Sequence, residues 1–308
     1  MVGTWQCREP SNFSRHLKTN MQKLQILEKR LIAAGNGNAK RSVEELAAQV
    51  LGCKLLEIYF REMTPEQEAE LEPLITRAEQ GEPIQYIIGY VDFRGLEIAC
   101  DPRALIPRPE TELLVEQVLQ AVSSPEFPIP SFKFQVSDFI RIADVCTGTG
   151  CIGLALAAEL PNAIVTAIDI SPDALSLARK NAERLGLSER VQCLENNLLE
   201  GIKETSLDVV VSNPPYILSD VCKQLDSSVR DFEPQLALDG GVDGMDLIRP
   251  LVEQAVRVLK PGGGLFLEIG YDQGEAVSQC LGNAGFQNVR IIKDYAGLDR
   301  IVEGSLRG

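Results

Sequence analysis

The chain has 308 residues, 44% of them hydrophobic and 24% charged, with 44 acidic against 30 basic side chains and a formal net charge of −14. That length suits one large domain plus a small one. The acidic excess argues against a broad nucleic-acid grip, which needs clustered Lys and Arg, and no run of ~18 apolar residues offers a membrane span.

Residues 1–20 carry Arg8, Arg15 and Lys18 against Glu9 and no apolar core, so a disordered extension is expected there. Residues 21–82 read as a small helical domain. Leu24, Leu27 and Leu31 recur at helical spacing, and Leu71, Leu74, Ile75 and Ala78 share one face. Ser42 three residues before Glu45 suggests a capping box, and Thr64-Pro65 a helix start. Glu66, Glu68, Glu70 and Glu72 read as a solvated acidic face. Residues 83–107 turn to β-formers, Ile84, Tyr86, Ile87, Ile88, Tyr90, Val91 and Phe93, with a turn at Arg94-Gly95; a β-hairpin linker is predicted.

The remainder, 108–308, reads as one large domain. Pro107 and Pro109 frame a helix over 110–122, and the Pro-rich stretch 123–139 reads as a loop insertion. Strands are predicted at 140–145, 164–169, 191–194, 207–212, 264–269, 289–292 and 300–303. Helices alternate with them at 151–160, 172–185, 245–259 and 273–284. Such alternation implies a seven-stranded, mostly parallel sheet covered on both faces.

Eight cysteines are scattered without a CxxC pair, and His16 is the only histidine, so no metal is expected. Cys146, Cys193 and Cys280 read as small buried hydrophobes. Reduced thiols point to the cytoplasm.

The first strand of the large domain runs into Cys146-Thr147-Gly148-Thr149-Gly150-Cys151-Ile152-Gly153. A glycine turn between strand and helix brings backbone N–H groups close to a ligand. Asp169 ends the next strand, 19 residues after Gly150, where a carboxylate can accept from both ribose hydroxyls of an adenosine. A nicotinamide dinucleotide and S-adenosylmethionine satisfy these features equally. In the loop after the third strand, Leu198 could cover an adenine face and Asn197 bond its edge.

The fourth strand ends at Asn213-Pro214-Pro215-Tyr216. Two prolines fix the backbone and bring no N–H. The Asn213 side-chain oxygen and the Pro214 carbonyl could hold both hydrogens of a planar NH₂ and aim its nitrogen at a methyl sulfonium. Holding those hydrogens favours the positive charge that develops on nitrogen. Tyr216 would wall the pocket. This ledge suits adenine or a primary amide alike, and a nicotinamide enzyme would not need it.

With these motifs stand Gly81-Glu82-Pro83-Ile84-Gln85-Tyr86-Ile87-Ile88-Gly89, Phe93, the run Leu105-Ile106-Pro107-Arg108-Pro109-Glu110-Thr111-Glu112, Phe232-Glu233-Pro234, Gly240-Gly241-Val242-Asp243-Gly244, Leu267-Glu268-Ile269-Gly270 and Asp294-Tyr295-Ala296-Gly297. From about residue 42 onward the chain resembles the protein-(glutamine-N5) methyltransferases of peptide chain release factors. The resemblance implies a class I Rossmann-like methyltransferase domain behind the helical domain and hairpin. It implies methyl transfer from S-adenosylmethionine, leaving S-adenosylhomocysteine, to the glutamine of the Gly-Gly-Gln loop of a class 1 release factor. The helical domain would bind that partner, and the enzyme would work as a monomer without nucleic acid or membrane.

By position, Cys146, Thr147, Gly148, Thr149, Gly150, Asp169, Asn197, Leu198 and Asn213 would contact the cofactor. Asn213, Pro214, Pro215, Tyr216 and Phe93 would hold the glutamine, with Asn213, Pro214 and Tyr216 closest to the chemistry. Arg108 to Glu110 would lie near the pocket. Two positions depart from the pattern: the family usually has Gly where Cys146 stands, and often an acid where Asn197 stands. A ribosomal-protein glutamine would suit the same ledge; adenine-N6 methylation sits badly with the acidic surface.

Overall fold

A computed structural model describes residues 12–123 and 139–307, with 12–20 described by backbone alone. The chain divides into two compact units, Met1–Ile88 and Gly89–Gly308.

The first unit is helical. Its elements are α1 (Asn12–Ala33), α2 (Ala39–Leu51), a 3-10 turn at Leu55–Phe60, α3 (Pro65–Glu79) and α4 (Ile84–Ile88). Leu31, Leu46, Ile58 and Ile75 are completely buried and form its core. Thr64 caps α3: its hydroxyl accepts from the Gln67 amide at 3.3 Å, and Gln67 Oε1 accepts from the Thr64 N–H at 3.0 Å.

Three expectations change here. Helix α1 begins at Asn12, inside the segment read as a disordered extension; residues 1–11 lie outside the described residues. Ser42 caps nothing: α2 starts at Ala39, and Ser42 is buried within it. Residues 84–88 are helix rather than strand, because Ile84 and Ile87, three apart, both bury in the helical core. The acidic face is solvated, with Glu66, Glu70 and Glu72 exposed and Glu68 partly so. Glu72 and Glu79 both pair with Arg30 of α1, at 2.7 and 2.8 Å, and Glu68 pairs with Lys23.

The second unit opens with a hairpin, β1 (Tyr90–Phe93) and β2 (Leu96–Ala99). Arg94 and Gly95 both have positive φ, as a two-residue hairpin turn requires. Then follow α5 (Pro109–Ser123), β3 (Ile140–Val145), α6 (Cys151–Glu159), β4 (Ala163–Asp169), α7 (Pro172–Arg184), β5 (Val191–Glu195) and β6 (Leu207–Ser212). Short helices α8 (Ser219–Cys222) and α9 (Ser227–Arg230) lead to α10 (Ile248–Val258), β7 (Leu259–Glu268), α11 (Gly274–Asn283), β8 (Phe286–Lys293) and β9 (Asp299–Leu306). Most of the Pro-rich stretch, 124–138, lies outside the described residues.

The seven strands lie in the order β5-β4-β3-β6-β7-β9-β8; only β9 runs antiparallel to its neighbours. Period-two alternation sorts the sheet into two cores. Ile140, Ile142, Val209, Val211 and Phe266 face Leu114 and Val118 of α5 and Leu154 of α6. Ala143, Val145, Val210, Leu265 and Leu267 face Ile248, Leu251 and Val252 of α10 and Val277 of α11. Burial on both faces explains why these strands read as unbroken apolar runs. Cys146, Cys193 and Cys280 are half-buried, whereas Cys100, Cys151 and Cys222 are buried. Among the described residues no helix is long and apolar enough to cross a membrane.

Candidate active site

The strand order reverses between β3 and β6, and open α/β sheets bind ligands beyond the carboxyl ends of strands at such a switch. Val145 and Ser212 are register partners there, and the Ser212 hydroxyl donates to the Val145 carbonyl at 2.6 Å. The glycine turn and the Asn213 ledge therefore leave the sheet side by side. On their flanks β4 ends in Asp169 and β7 in Glu268.

These strand ends open into a cleft with a cavity volume of about 160 Å³. Cys146, Thr147, Gly148, Thr149, Asp169, Asn197, Leu198, Asn213 and Pro215 line it, as do Pro107 and Arg108. The turn winds tightly: Cys146, Gly148 and Gly150 all have positive φ. Cys146 bears this conformation without being glycine, which L-residues do at some cost. Burial raises its thiol pKa to about 12, so the group is neutral.

Asp169 Oδ2 accepts from the Gly148 N–H and Oδ1 from the Ser171 N–H, both at 2.9 Å. Burial raises this carboxyl and those N–H donors oppose the rise. Each oxygen keeps acceptor capacity for a vicinal diol. Beneath the turn lies Asp144, wholly buried, with Oδ2 accepting from the Thr147 hydroxyl and from the Gly153 N–H at 2.9 Å. Its pKa is raised to about 7 by burial.

Asn197 is exposed, and its Nδ2 donates to Glu200 Oε1 at 2.6 Å. That bond turns its oxygen outward as an acceptor, as the acid often found at this position would be.

Asn213 Nδ2 donates to Thr111 Oγ1 at 3.2 Å, and the Thr111 hydroxyl donates to Glu268 Oε2 at 2.7 Å. The Tyr216 hydroxyl donates to Glu268 Oε1 at 3.2 Å. Burial raises the Glu268 carboxyl; Thr111, the Arg300 charge and Tyr216 pull it down. Behind the ledge, the Ile217 N–H donates to the Leu238 carbonyl at 3.0 Å and the Gly240 N–H to the Ile217 carbonyl at 2.8 Å. A Cβ on Gly240 would stand 2.7 Å from Tyr216 Cα and 2.8 Å from the Pro215 oxygen. Buried Glu233 ties two further segments of the rim: it pairs with Arg108 and accepts from the Ile106 N–H at 3.1 Å.

Several expected site residues lie elsewhere. Phe93 is 1% exposed and packs in the core with α5, because its strand position turns it inward. Gly150 does not line the cleft; it caps α6, where a Cβ would stand 3.2 Å from that of Ala178. Pro214 is buried, so its backbone carbonyl is the part of it left as a candidate for the ledge, and Tyr216 is drawn off the cleft wall toward Glu268. Glu110, exposed on the first turn of α5, stays near the pocket, between Arg108 and Thr111, which line it. Thr111 and Glu268 gained no individual role from the sequence. The available signal was a lone acid, Glu268, in the apolar run 265–269.

Comparison with known proteins supplies the deciding observation. The PrmC N-terminal domain family model matches residues 22–89 and the Methyltransferase small domain model residues 132–226. The release factor glutamine methyltransferase of Geobacter sulfurreducens is 37% identical over 279 residues, covering 90% of this chain and 93% of its own. That of Moorella thermoacetica is 40% identical over 276 residues, covering 88% and 93%. This chain belongs to the release factor glutamine methyltransferase family. Its fold is the class I methyltransferase fold. The hMettl16 catalytic domain, solved with the MAT2A 3'UTR hairpin 6, shares that fold at 15% identity and a TM-score of 0.54, over 80% of this chain and 83% of that one.

A methyl donor of the S-adenosylmethionine type fits the cleft. Asp169 offers two acceptor oxygens and Leu198 an apolar wall.

Proposed function

We propose that this enzyme transfers a methyl group from S-adenosylmethionine to the side-chain amide nitrogen of the glutamine in the Gly-Gly-Gln loop of a class 1 release factor. The observation that carries the reading is the orientation of Asn213. Its nitrogen is spent on Thr111, so its oxygen is free for a substrate N–H at the rim of the cleft.

When bound, S-adenosylmethionine supplies a methyl group on a sulfonium, ready for displacement. The chain's own work is to hold the nucleophile. Asn213 Oδ1 and the Pro214 carbonyl each take one hydrogen of the glutamine NH₂, fixing the nitrogen's plane. As the new N–CH₃ bond forms, positive charge grows on nitrogen and those two acceptors stabilise it. One of the two protons then leaves; an amide protonated on nitrogen is so acidic that water suffices to take it. Nothing in this step calls on histidine, and the chain's only one is His16. The helical unit is the surface proposed to receive the release factor. The reaction belongs where release factors work, in the cytoplasm.

Labelled methyl is expected to pass to a purified release factor and not to its Gln→Ala variant in the Gly-Gly-Gln loop. Asn213→Ala should lower transfer at least ~100-fold, the cost of removing one such preorganised group, while cofactor still binds. Label that persists in the Gln→Ala factor, or that goes instead to a ribosomal protein, sinks the assignment.

A further inference from the structure

An asparagine amide carries a donor and an acceptor on one carbon, and its two orientations have nearly the same shape. Only one of them can hold a substrate N–H. The structure contains a chain of groups that selects it.

Thr111 has a single hydroxyl hydrogen, and Glu268 takes it at 2.7 Å. The Thr111 oxygen can then only accept. Its partner is the Asn213 amide, which must present nitrogen, at 3.2 Å. The free end of that amide is oxygen. We infer that Glu268 and Thr111 are positioning residues for methyl transfer, fixing the Asn213 amide with its oxygen toward the substrate; this rests on the function proposed above.

Glu268 is 2% exposed at the end of an apolar strand, a costly place for a carboxylate. The nearby Arg300 guanidinium pairs directly with Asp294, at 3.1 Å, and acts on Glu268 through its charge. Geometry makes Glu268 the acceptor on both oxygens. Burial raises its carboxyl and Glu110 on α5 adds to the rise, while Thr111 donating from α5, the Arg300 charge on β9 and Tyr216 donating from the ledge oppose it. With both oxygens engaged, it can hold Thr111 in only one sense.

Thr111→Val keeps the volume and removes the hydroxyl, and Thr111→Ser keeps the hydroxyl. Thr111→Val should lower kcat about 30-fold, somewhat less than loss of a whole preorganised group. Its melting temperature should match that of Thr111→Ser, and its cofactor affinity should stay within about twofold of wild type. Thr111→Ser should restore kcat to within about threefold. Glu268→Gln tests the same chain from its other end: its single oxygen serves Thr111 or Tyr216 but not both, so an intermediate loss of kcat is expected.

The second readout needs no substrate. In protein labelled with ¹⁵N-asparagine, the Asn213 side-chain resonance, identified by its absence in Asn213→Asp, should be protected from solvent exchange in wild type and Thr111→Ser and unprotected in Thr111→Val. Equal kcat for Thr111→Val and Thr111→Ser, or equal protection, overturns the inference. So does a kcat loss matched by lost cofactor affinity. A wild-type enzyme that leaves the release factor unmethylated overturns the proposed function instead, and the exchange measurement alone then decides the role of Thr111 and Glu268.

Discussion

Two asparagines in this site face the same ambiguity, and in both a neighbouring acid resolves it. Glu200 orients Asn197 directly, and Glu268 orients Asn213 through Thr111. Asp144 acts differently, as a buried carboxyl under the glycine turn with no partner at Oδ1. Its folded pKa, about 7, stands above the unfolded value. The folded state therefore holds a proton that the unfolded state gives up, and stability falls as pH rises from about 4 to 7. Asp144→Asn removes that dependence. Relative to wild type it should gain on the order of 4 kcal/mol across the window, read from denaturant unfolding at pH 4.5 and 7.5. The sequence puts Asp169 and Asn213 at strand ends, and β4 ends at Asp169 and β6 just before Asn213. Phe93 buries in the core and Tyr216 turns toward Glu268, and chain order does not say which way a side chain turns. Thr111 and Glu268 meet across 157 residues, and no local pattern reveals such a contact.

At the level of elements, the ledge depends on what lies behind it. The segment around Gly240 packs backbone against backbone on Pro215 and Tyr216, and nothing there can move aside for a methyl group. Gly240→Ala should cost about 1–3 kcal/mol by overpacking and lower transfer at least tenfold. Cofactor affinity should hold within about threefold, since Asp169 and the glycine turn lie on other strands; thermal unfolding and a cofactor titration check this pair. The sheet was readable throughout because β3, β6 and β7 are apolar runs between clear turn signals. Residues 84–88 were misassigned for the opposite reason: β-branched side chains favour strand locally, and packing of Ile84 and Ile87 overrode them. Ser42 likewise has the right neighbour for a cap but lies a turn too late.

Across the whole molecule, each unit owns its core. Leu46 is fully buried in the helical unit, far in sequence from every cleft residue. Leu46→Ala should destabilise that unit by about 2–5 kcal/mol. Cofactor affinity and methylation of a short glutamine peptide should stay unchanged, while KM for the intact release factor rises. A parallel rise for the peptide would argue against the helical unit as the partner's surface. One consequence of the two prolines remains. Pro214 and Pro215 bring no N–H to the ledge, so with the Asn213 oxygen it consists of acceptors only, two of them for two hydrogens. Once the nitrogen carries a methyl group it has a single hydrogen left, and one acceptor must go empty. Under the proposed function the ledge would thus count to one: it would grip the unmodified side chain more firmly than the modified one, let the product go, and give a second methyl no foothold.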